Sequence, residues 1–125
     1  MEAVPDPLEI VPPEEMVHPY VRTQDTGNRT DTRWFTVTDD RGAGLRLVGA
    51  EPISFSVWQF TIDDVMAAAH PYELPRREFN TVFVDWRLHG VGGDDSWGAL
   101  THPEYTLPGN QPYRLAFAIV PAAPR

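Results

Sequence analysis

The sequence contains no cysteine, which excludes disulfide bonds and thiolate metal sites. No apolar run approaches the roughly 18 residues of a membrane-spanning helix, and the N-terminus lacks the basic and apolar regions of a signal peptide. Basic residues are few and scattered: ten of them stand against 18 acidic ones, for a formal net charge of -8. Because phosphate groups are bound by clustered Lys and Arg, we expect no nucleic-acid and no membrane partner. We expect a soluble protein of the cytoplasm.

The length of 125 residues accommodates one domain, and a hydrophobic content of 42% is typical of a globular protein. Thirteen prolines and nine glycines favour short strands and turns over long helices. Residues 1–17 hold four prolines and five acids, so we expect an extended N-terminal arm with a short edge strand at 8–11. Residues 18–125 are then the folded domain.

Alternation of apolar and polar side chains predicts strands at 33–38, 45–50, 53–60, 79–89 and 112–120. The first two are joined by a turn at 39–44, and aromatic side chains on both faces of 53–60 indicate a strand buried on both sides. One short helix is predicted near 61–69, with Thr61 and Asp64 as a capping box and Pro71 ending it. The predicted fold class is therefore all-β, an antiparallel β-sandwich with one short helix.

The loop "HGVGGDDSWGALTHPEY" at 89–105 is the stretch that most suggests a function. Its glycines permit positive φ, and its adjacent acids can bond backbone amides in a tight turn: Gly90, Gly92, Gly93, Asp94 and Asp95. Such a turn would fix the backbone of Trp97 and orient its indole, and an exposed indole stacks well on the C–H face of a sugar. The alternative is a Trp97 ring packed on the core of its own domain.

The same loop carries atom types that bind metals, in His89, Asp94, Asp95, His102 and Glu104. Their spacing matches no metal signature, so we expect no metal site. Nothing singles out a pair among the 18 acids for glycoside hydrolysis, and three of the four histidines precede prolines, which favours rigid turns. We assign no catalytic residue, although a His–Glu pair for sugar isomerisation remains an alternative.

Three stretches, in this order, resemble the C-terminal part of the β-galactosidases of glycoside hydrolase family 2. They are "PYVRTQDTGNRTDTRW" at 19–34, "ISFSVWQFTIDDVMAAAHPYELPRR" at 53–77, and "GVGGDDSWG" with "THPEYTLP" between 90 and 108. The resemblance covers about residues 18–120. The chain departs from the family pattern at Thr23, where the family has Pro, at Asp25-Thr26, which replace a Glu and its neighbour, and throughout residues 1–17.

The resemblance implies half of a large β-sandwich of the galactose-mutarotase type, which lies beside a catalytic barrel. It implies that Trp97 stacks on the acceptor sugar, glucose in the case of lactose. The residues of the supporting loop would be Gly92, Gly93, Asp94, Asp95 and Ser96. The family's catalytic carboxylates and its magnesium and sodium ligands lie in other domains, so we expect no cofactor and no hydrolysis from this chain alone.

The implied partners are the remainder of a β-galactosidase and a galactoside or glucose ligand. Half a sandwich should leave apolar strands uncovered, so we expect a homo-oligomer when the chain is isolated, or an arm at 1–17 that covers part of the gap. Two alternatives remain from the residues themselves. One is a free-standing carbohydrate-binding module in which Trp97, with Trp34 or Trp58, lines a groove, and the other is a small mutarotase-like isomerase.

Overall fold

The computed structural model describes residues 11–18, 26–90, 92–95 and 97–123. The strands are β1 (Arg29–Thr38), β2 (Gly44–Trp58), β3 (Thr81–Asp85) and β4 (Phe117–Ala122). The helices are α1 (Pro13–Met16) and α2 (Ile62–Ala67), with 3₁₀ turns at Pro71–Glu73 and Pro103–Tyr105. Within these ranges neither helix has the length or the apolar run needed to cross a membrane. The predicted all-β antiparallel class with one short capped helix is confirmed.

The sheet is organised around β2, which neighbours each of the other three strands. β1 and β4 both pair antiparallel with the first part of β2, so that Leu47 lies between Phe35 and Ile119. The predicted hairpin between β1 and β2 is confirmed. Asp39 closes its turn, since its Oδ1 accepts bonds from the amides of residues 41 and 43, both at 2.9 Å, and Gly42 there has φ of 83°.

β2 is one strand where the sequence predicted two, at 45–50 and 53–60. Glu51 and Pro52 lie between the two predicted segments. In the structure this segment is a bulge: four residues of β2 separate Val48 from Ile53, where β1 has one residue between their partners. Asp31, near the bulge on β1, has a positive φ of 53°. The strand therefore continues through the irregularity.

The chain forms two compact units. Unit 1 is Met1–Asn28 with Ser56–Phe83, and unit 2 is Arg29–Phe55 with Val84–Arg125. The core of unit 1 is Trp58, whose ring packs 4.5 Å from Phe83 and whose Nε1 donates to the Thr26 carbonyl at 2.8 Å. The core of unit 2 is Phe35, which is buried and stacks on Phe55 with ring centroids 3.9 Å apart. The prediction that 53–60 is a buried stretch is confirmed at Ile53, Ser54, Ser56, Val57, Trp58 and Phe60.

Helix α2 begins with the predicted capping box: the Asp64 amide donates to Thr61 Oγ1 at 3.1 Å, and the Thr61 amide donates to Asp64 Oδ2 at 2.8 Å. Asp64 also accepts two bonds from the guanidinium of Arg77, at 2.5 and 3.1 Å. These bonds hold the pKa of Asp64 well below its usual range, with Arg77 as the largest cause. One carboxylate therefore starts the helix and fixes the connector that follows it.

Several predicted boundaries are wrong. The helix ends at Ala67 rather than near 69. The strand expected at 79–89 is reduced to Thr81–Asp85, and the one expected at 112–120 starts at Phe117. Tyr113 belongs to a loop instead, because its hydroxyl donates to the Pro108 carbonyl at 2.8 Å. Of the expected edge strand, residues 8–10 lie outside the described residues and Val11 is not in a strand. The helical turn α1 follows instead, with Pro13 at its start.

Replacing Thr61 tests the capping box. We expect Thr61→Ala to lower the free energy of unfolding by about 1 kcal/mol, because the amide of Asp64 loses its acceptor. Urea unfolding followed by circular dichroism measures this change. Thr61→Ser keeps the hydroxyl and should stay near wild type. Equal stability of the Ala and Ser variants would contradict a capping role.

Candidate functional site

The loop at 89–105 is closed at its base by Gly90. The Gly90 amide donates to the Tyr105 carbonyl at 2.7 Å, and the hydroxyl of Thr101 donates to the Gly90 carbonyl at 2.8 Å. A Cβ at position 90 would lie 2.6 Å from Thr101 Cγ2 and 3.0 Å from Tyr105 Cβ. Glycine is therefore required there by close approach, and the two ends of the loop are held together.

Asp95 fixes the backbone that carries the candidate aromatic ring. Its Oδ1 accepts bonds from the amides of Trp97 at 2.8 Å and Ala99 at 3.2 Å, as predicted for an acid in a tight turn. These bonds lower the pKa of Asp95, with the Trp97 amide as the largest cause. Gly93 packs against the same turn, where a Cβ would lie 2.4 Å from the Ala99 carbonyl oxygen.

The glycines of the loop differ from the prediction in their φ angles and contacts. In the described part of this loop Gly98 has a positive φ, at 121°, while Gly90 and Gly93 do not. Among the described residues no atom comes within 4 Å of a Cβ built on Gly92. Ser96 lies outside the described residues.

Within the described residues Asp94 bonds a side chain, whereas the sequence predicted a bond to a backbone amide. Its Oδ1 lies 2.9 Å from Nε2 of His102, and Nδ1 of the same ring lies 3.6 Å from Oε1 of Glu104. Asp94, His102 and Glu104 were all considered as metal ligands. Among the residues that the structure describes, no group of three or more His, Asp or Glu is placed to hold a metal ion.

Trp97 is almost entirely exposed, at 93% of its full accessible surface. The alternative in which this ring packs on the core of its own domain is therefore wrong. Leu100 is also exposed, at 88%, and it was not among the predicted site residues. The available signal was its size and its position three residues after Trp97.

The remaining candidate aromatics are less accessible. Trp58 is 4% exposed, which corrects the suggestion that it could line a surface groove. Trp34 is half-covered, because the guanidinium of Arg46 lies 4.2 Å from its ring centre. Among the tryptophans in the described residues, Trp97 is thus the one whose ring has a whole face accessible to a ligand.

The His–Glu pair considered for isomerisation has a match in unit 1, where His70 Nδ1 lies 3.2 Å from Glu73 Oε1. The other oxygen of Glu73 accepts a bond from the Ala69 amide at 2.7 Å. These bonds lower the pKa of Glu73, with the Ala69 amide as the largest cause. A general base works best with a pKa near the working pH, so this arrangement suits a structural cap better than acid–base catalysis.

Comparison with known proteins gives a consistent result. The family described as "Beta galactosidase small chain" matches residues 11–119. The chain is similar to a β-galactosidase of Priestia megaterium, at 42% identity over 108 residues, covering 86% of this chain and 10% of that protein. It is similar to β-galactosidases of Halalkalibacterium halodurans, 39% identical over 107 residues (85% and 11%), and of Streptococcus thermophilus, 37% identical over 109 residues (86% and 11%). The chain thus spans about a tenth of the length of these curated relatives.

Replacing Asp95 tests the turn. We expect Asp95→Ala to speed hydrogen exchange at the amides of Trp97 and Ala99 several-fold, since both lose their acceptor. Asp95→Asn keeps an oxygen in the same place and should retain most of the protection. Exchange measured by NMR at neutral pH checks both variants. Unchanged protection at Trp97 in the Ala variant would be incompatible with this role of Asp95.

Proposed function

This chain belongs to the β-galactosidase small-chain family, and we propose that it is the C-terminal portion of a glycoside hydrolase family 2 β-galactosidase acting on terminal β-galactosides such as lactose. In this proposal the chain gives structural support to the rest of the enzyme and presents Trp97 to the acceptor sugar. The galactosyl-transfer chemistry, and any magnesium or sodium, belong to parts of the enzyme outside this chain. We place the enzyme in the cytoplasm.

The exposure of Trp97 is the observation that carries the proposal. The indole of Trp97 is 93% exposed. The turn that carries it is held by two hydrogen bonds from backbone amides to Asp95, so the backbone is fixed while the ring is accessible. A sugar face packed on such a ring gains the burial of apolar area and a further stacking contribution of about 1 kcal/mol. Because the turn held by Asp95 is already formed before the sugar binds, little backbone conformational entropy is lost on binding.

The carboxylates of the described residues support a non-catalytic role for this chain. Several of them accept bonds from nearby backbone amides and so act as local caps: Asp39, Asp64, Glu73 and Asp95. In the last three the pKa is lowered, whereas a glycosidase needs one acid with a raised pKa. We therefore assign the catalytic acid and nucleophile to the rest of the enzyme.

The sheet of unit 2 has an apolar face that supports docking to a larger protein. Opposed residues of antiparallel strands lie on the same face, and one face carries the side chains of Phe35, Val37, Leu45, Leu47, Phe117 and Ile119. Phe35 and Leu47 are buried, but Leu45 is 49% and Ile119 58% exposed. Relatives that match this chain are about ten times as long. We propose that the preceding part of the β-galactosidase sandwich covers this face, and that the isolated chain self-associates through it.

Removing the indole tests the acceptor platform. In the complete β-galactosidase that contains this chain, we expect Trp97→Ala to weaken glucose binding as an acceptor at least about fivefold, because the stacking contribution is lost. Release of nitrophenol from a nitrophenyl galactoside, which reports the first bond cleavage, should change much less. Leu100→Ala is the matched control, since it removes a similarly exposed apolar side chain from the same loop. Unchanged glucose affinity in Trp97→Ala would refute the platform.

Mixing the chain with the remainder of the enzyme tests the docking face. We expect no hydrolysis of a nitrophenyl galactoside by the chain alone, and hydrolysis when the remainder is added. Ile119→Gln should weaken this complementation about tenfold, because a polar side chain replaces an aliphatic one in the interface. Val120→Gln is the control, since neighbouring residues of a strand point to opposite faces. Equal effects of both substitutions, or hydrolysis by the isolated chain, would contradict the proposal.

A further inference from the structure

Residues 62–80 of unit 1 form an exposed segment, which consists of α2 and the connector that follows it. No residue of α2 is buried, and every position from 69 to 80 is exposed except Leu74. Residues 62 and 66 are one helical turn apart and therefore lie side by side on α2. The segment carries four large apolar side chains, each more than half exposed: Ile62 at 54%, Met66 at 80%, Tyr72 at 81% and Phe79 at 56%.

Polar bonds hold this segment in place. Asp64, whose side chain is only 9% exposed, caps α2 and also accepts both bonds from the guanidinium of Arg77. The Arg77 amide donates to the Gln59 carbonyl at 2.7 Å, and Glu73 accepts a bond from the Ala69 amide at 2.7 Å. The backbone of the segment is thus fixed while its large apolar side chains are accessible. Exposed apolar side chains on a fixed backbone are typical of a surface that binds another protein.

The distribution of charge determines which kind of partner suits the segment. Unit 1 contains ten acidic residues and three arginines, for a net charge of -7, whereas unit 2 contains eight acidic residues and seven arginines, for a net charge of -1. Both arginines of the segment contact carboxylates of unit 1, Arg76 that of Glu14 and Arg77 that of Asp64. Asp63 is exposed on α2. A partner that carries basic residues is therefore favoured.

Two other occupants of the segment carry the wrong charge. A second copy paired through the same segment would bring together two units of net charge -7, and residues 1–10 contain three acids and no basic residue. Like charges brought together in an interface are unfavourable. The relatives of this chain are about ten times as long, so a complete enzyme has ample further surface that could supply the basic partner.

We propose that residues 62–80 are a second docking surface, which binds a surface of the remainder of the β-galactosidase that is apolar at its centre and carries Lys or Arg around it. The inference rests on the proposed function, because the partner is the remainder of the enzyme. It is distinct from the apolar face of unit 2, since it involves other residues and a partner surface of defined charge.

The first experiment tests the apolar part of the surface by measuring the Kd of the chain for the remainder of the enzyme with surface plasmon resonance. We expect Met66→Gln to raise this Kd about tenfold, because the contact no longer buries an apolar side chain. Gln resembles Met in length and in helix propensity, so α2 should remain folded, as circular dichroism can check. Leu100→Gln is the matched control, since it changes an apolar side chain of similar exposure in unit 2 and should bind like wild type.

The same measurement at low ionic strength tests the charge of the partner. Asp63→Asn and Asp40→Asn each remove one negative charge from an exposed position, the first on α2 and the second in the β1–β2 turn of unit 2. We expect Asp63→Asn to raise Kd about two- to fivefold, the range for exposed ion pairs, and Asp40→Asn to leave it unchanged. Added salt should weaken the binding of wild type more than that of Asp63→Asn. Equal effects of the two substitutions would overturn the assignment of a basic partner to this segment.

The second experiment uses the oxidation of Met66 to identify what covers the surface. Hydrogen peroxide converts exposed methionine to its sulfoxide, and mass spectrometry measures the rate at Met66. We expect fast oxidation in the dilute isolated chain and several-fold slower oxidation once the remainder of the enzyme is bound. Slow oxidation in the dilute chain would show that the chain covers Met66 itself, and protection that grows with chain concentration would identify a second copy. Either result overturns the inference.

The outcomes separate this inference from the proposed function. If wild type binds the remainder and Ile119→Gln weakens that binding while Met66→Gln does not, the inference fails and the proposed function stands. If wild type does not bind the remainder at all, both fail. Weakened binding in Met66→Gln, together with protection of Met66 by the remainder, supports the second docking surface.

Discussion

The strands β1, β3 and β4 each neighbour β2. The register of β2 therefore determines which of the side chains in the sheet face the core. Its first part is paired on both sides, and its last part, from Ile53 to Trp58, is almost wholly buried. The strand of fifteen residues contributes to both compact units, since residues 44–55 belong to unit 2 and residues 56–58 to unit 1. A shift of one residue on either side of the bulge would turn Leu47 or Ile53 toward the opposite face. The loop that carries Trp97 belongs to a unit whose geometry depends on this register.

A second theme is the use of negative charge. The chain has eight more acidic than basic residues by formal charge, and four of its carboxylates form hydrogen bonds that shape the local backbone. Asp39, Asp64, Glu73 and Asp95 each accept bonds from backbone amides within a few positions, and in doing so they close a hairpin, start a helix, fix a connector and hold the Trp97 turn. Ionised carboxylates are strong acceptors for such amides. A chain that relies on them can make short, defined loops without cysteine or bound metal. Short loops fixed in this way are consistent with the structural role proposed for this chain.

The features that the sequence predicted well are those decided by neighbours in the chain. The β1–β2 hairpin and the Thr61–Asp64 capping box are each determined by a few consecutive residues, and both were found where expected. The continuity of β2 through Glu51-Pro52 was missed, because only the pairing with β1 shows that the proline lies in a bulge. For the same reason the partner of Asp94, eight residues away along the loop, was not predicted. The residues of the loop at 89–105 singled out Trp97, but local sequence could not distinguish an exposed ring from a buried one. That difference depends on whether distant parts of the chain pack on the ring, and it is seen only in the folded chain.

Pro121 in β4 limits how further strands can pair with the sheet. Within the described residues β4 neighbours β2 alone, so its other edge is open, and Pro121 lies in this strand opposite Leu45. Proline is accommodated in a sheet where its nitrogen points away from the neighbouring strand, and the donor that it lacks is then missing from the open edge. An incoming strand cannot form an unbroken ladder there, which is how natural sheets limit edge-to-edge aggregation. Pro121 therefore limits edge-to-edge pairing of this sheet with a further strand.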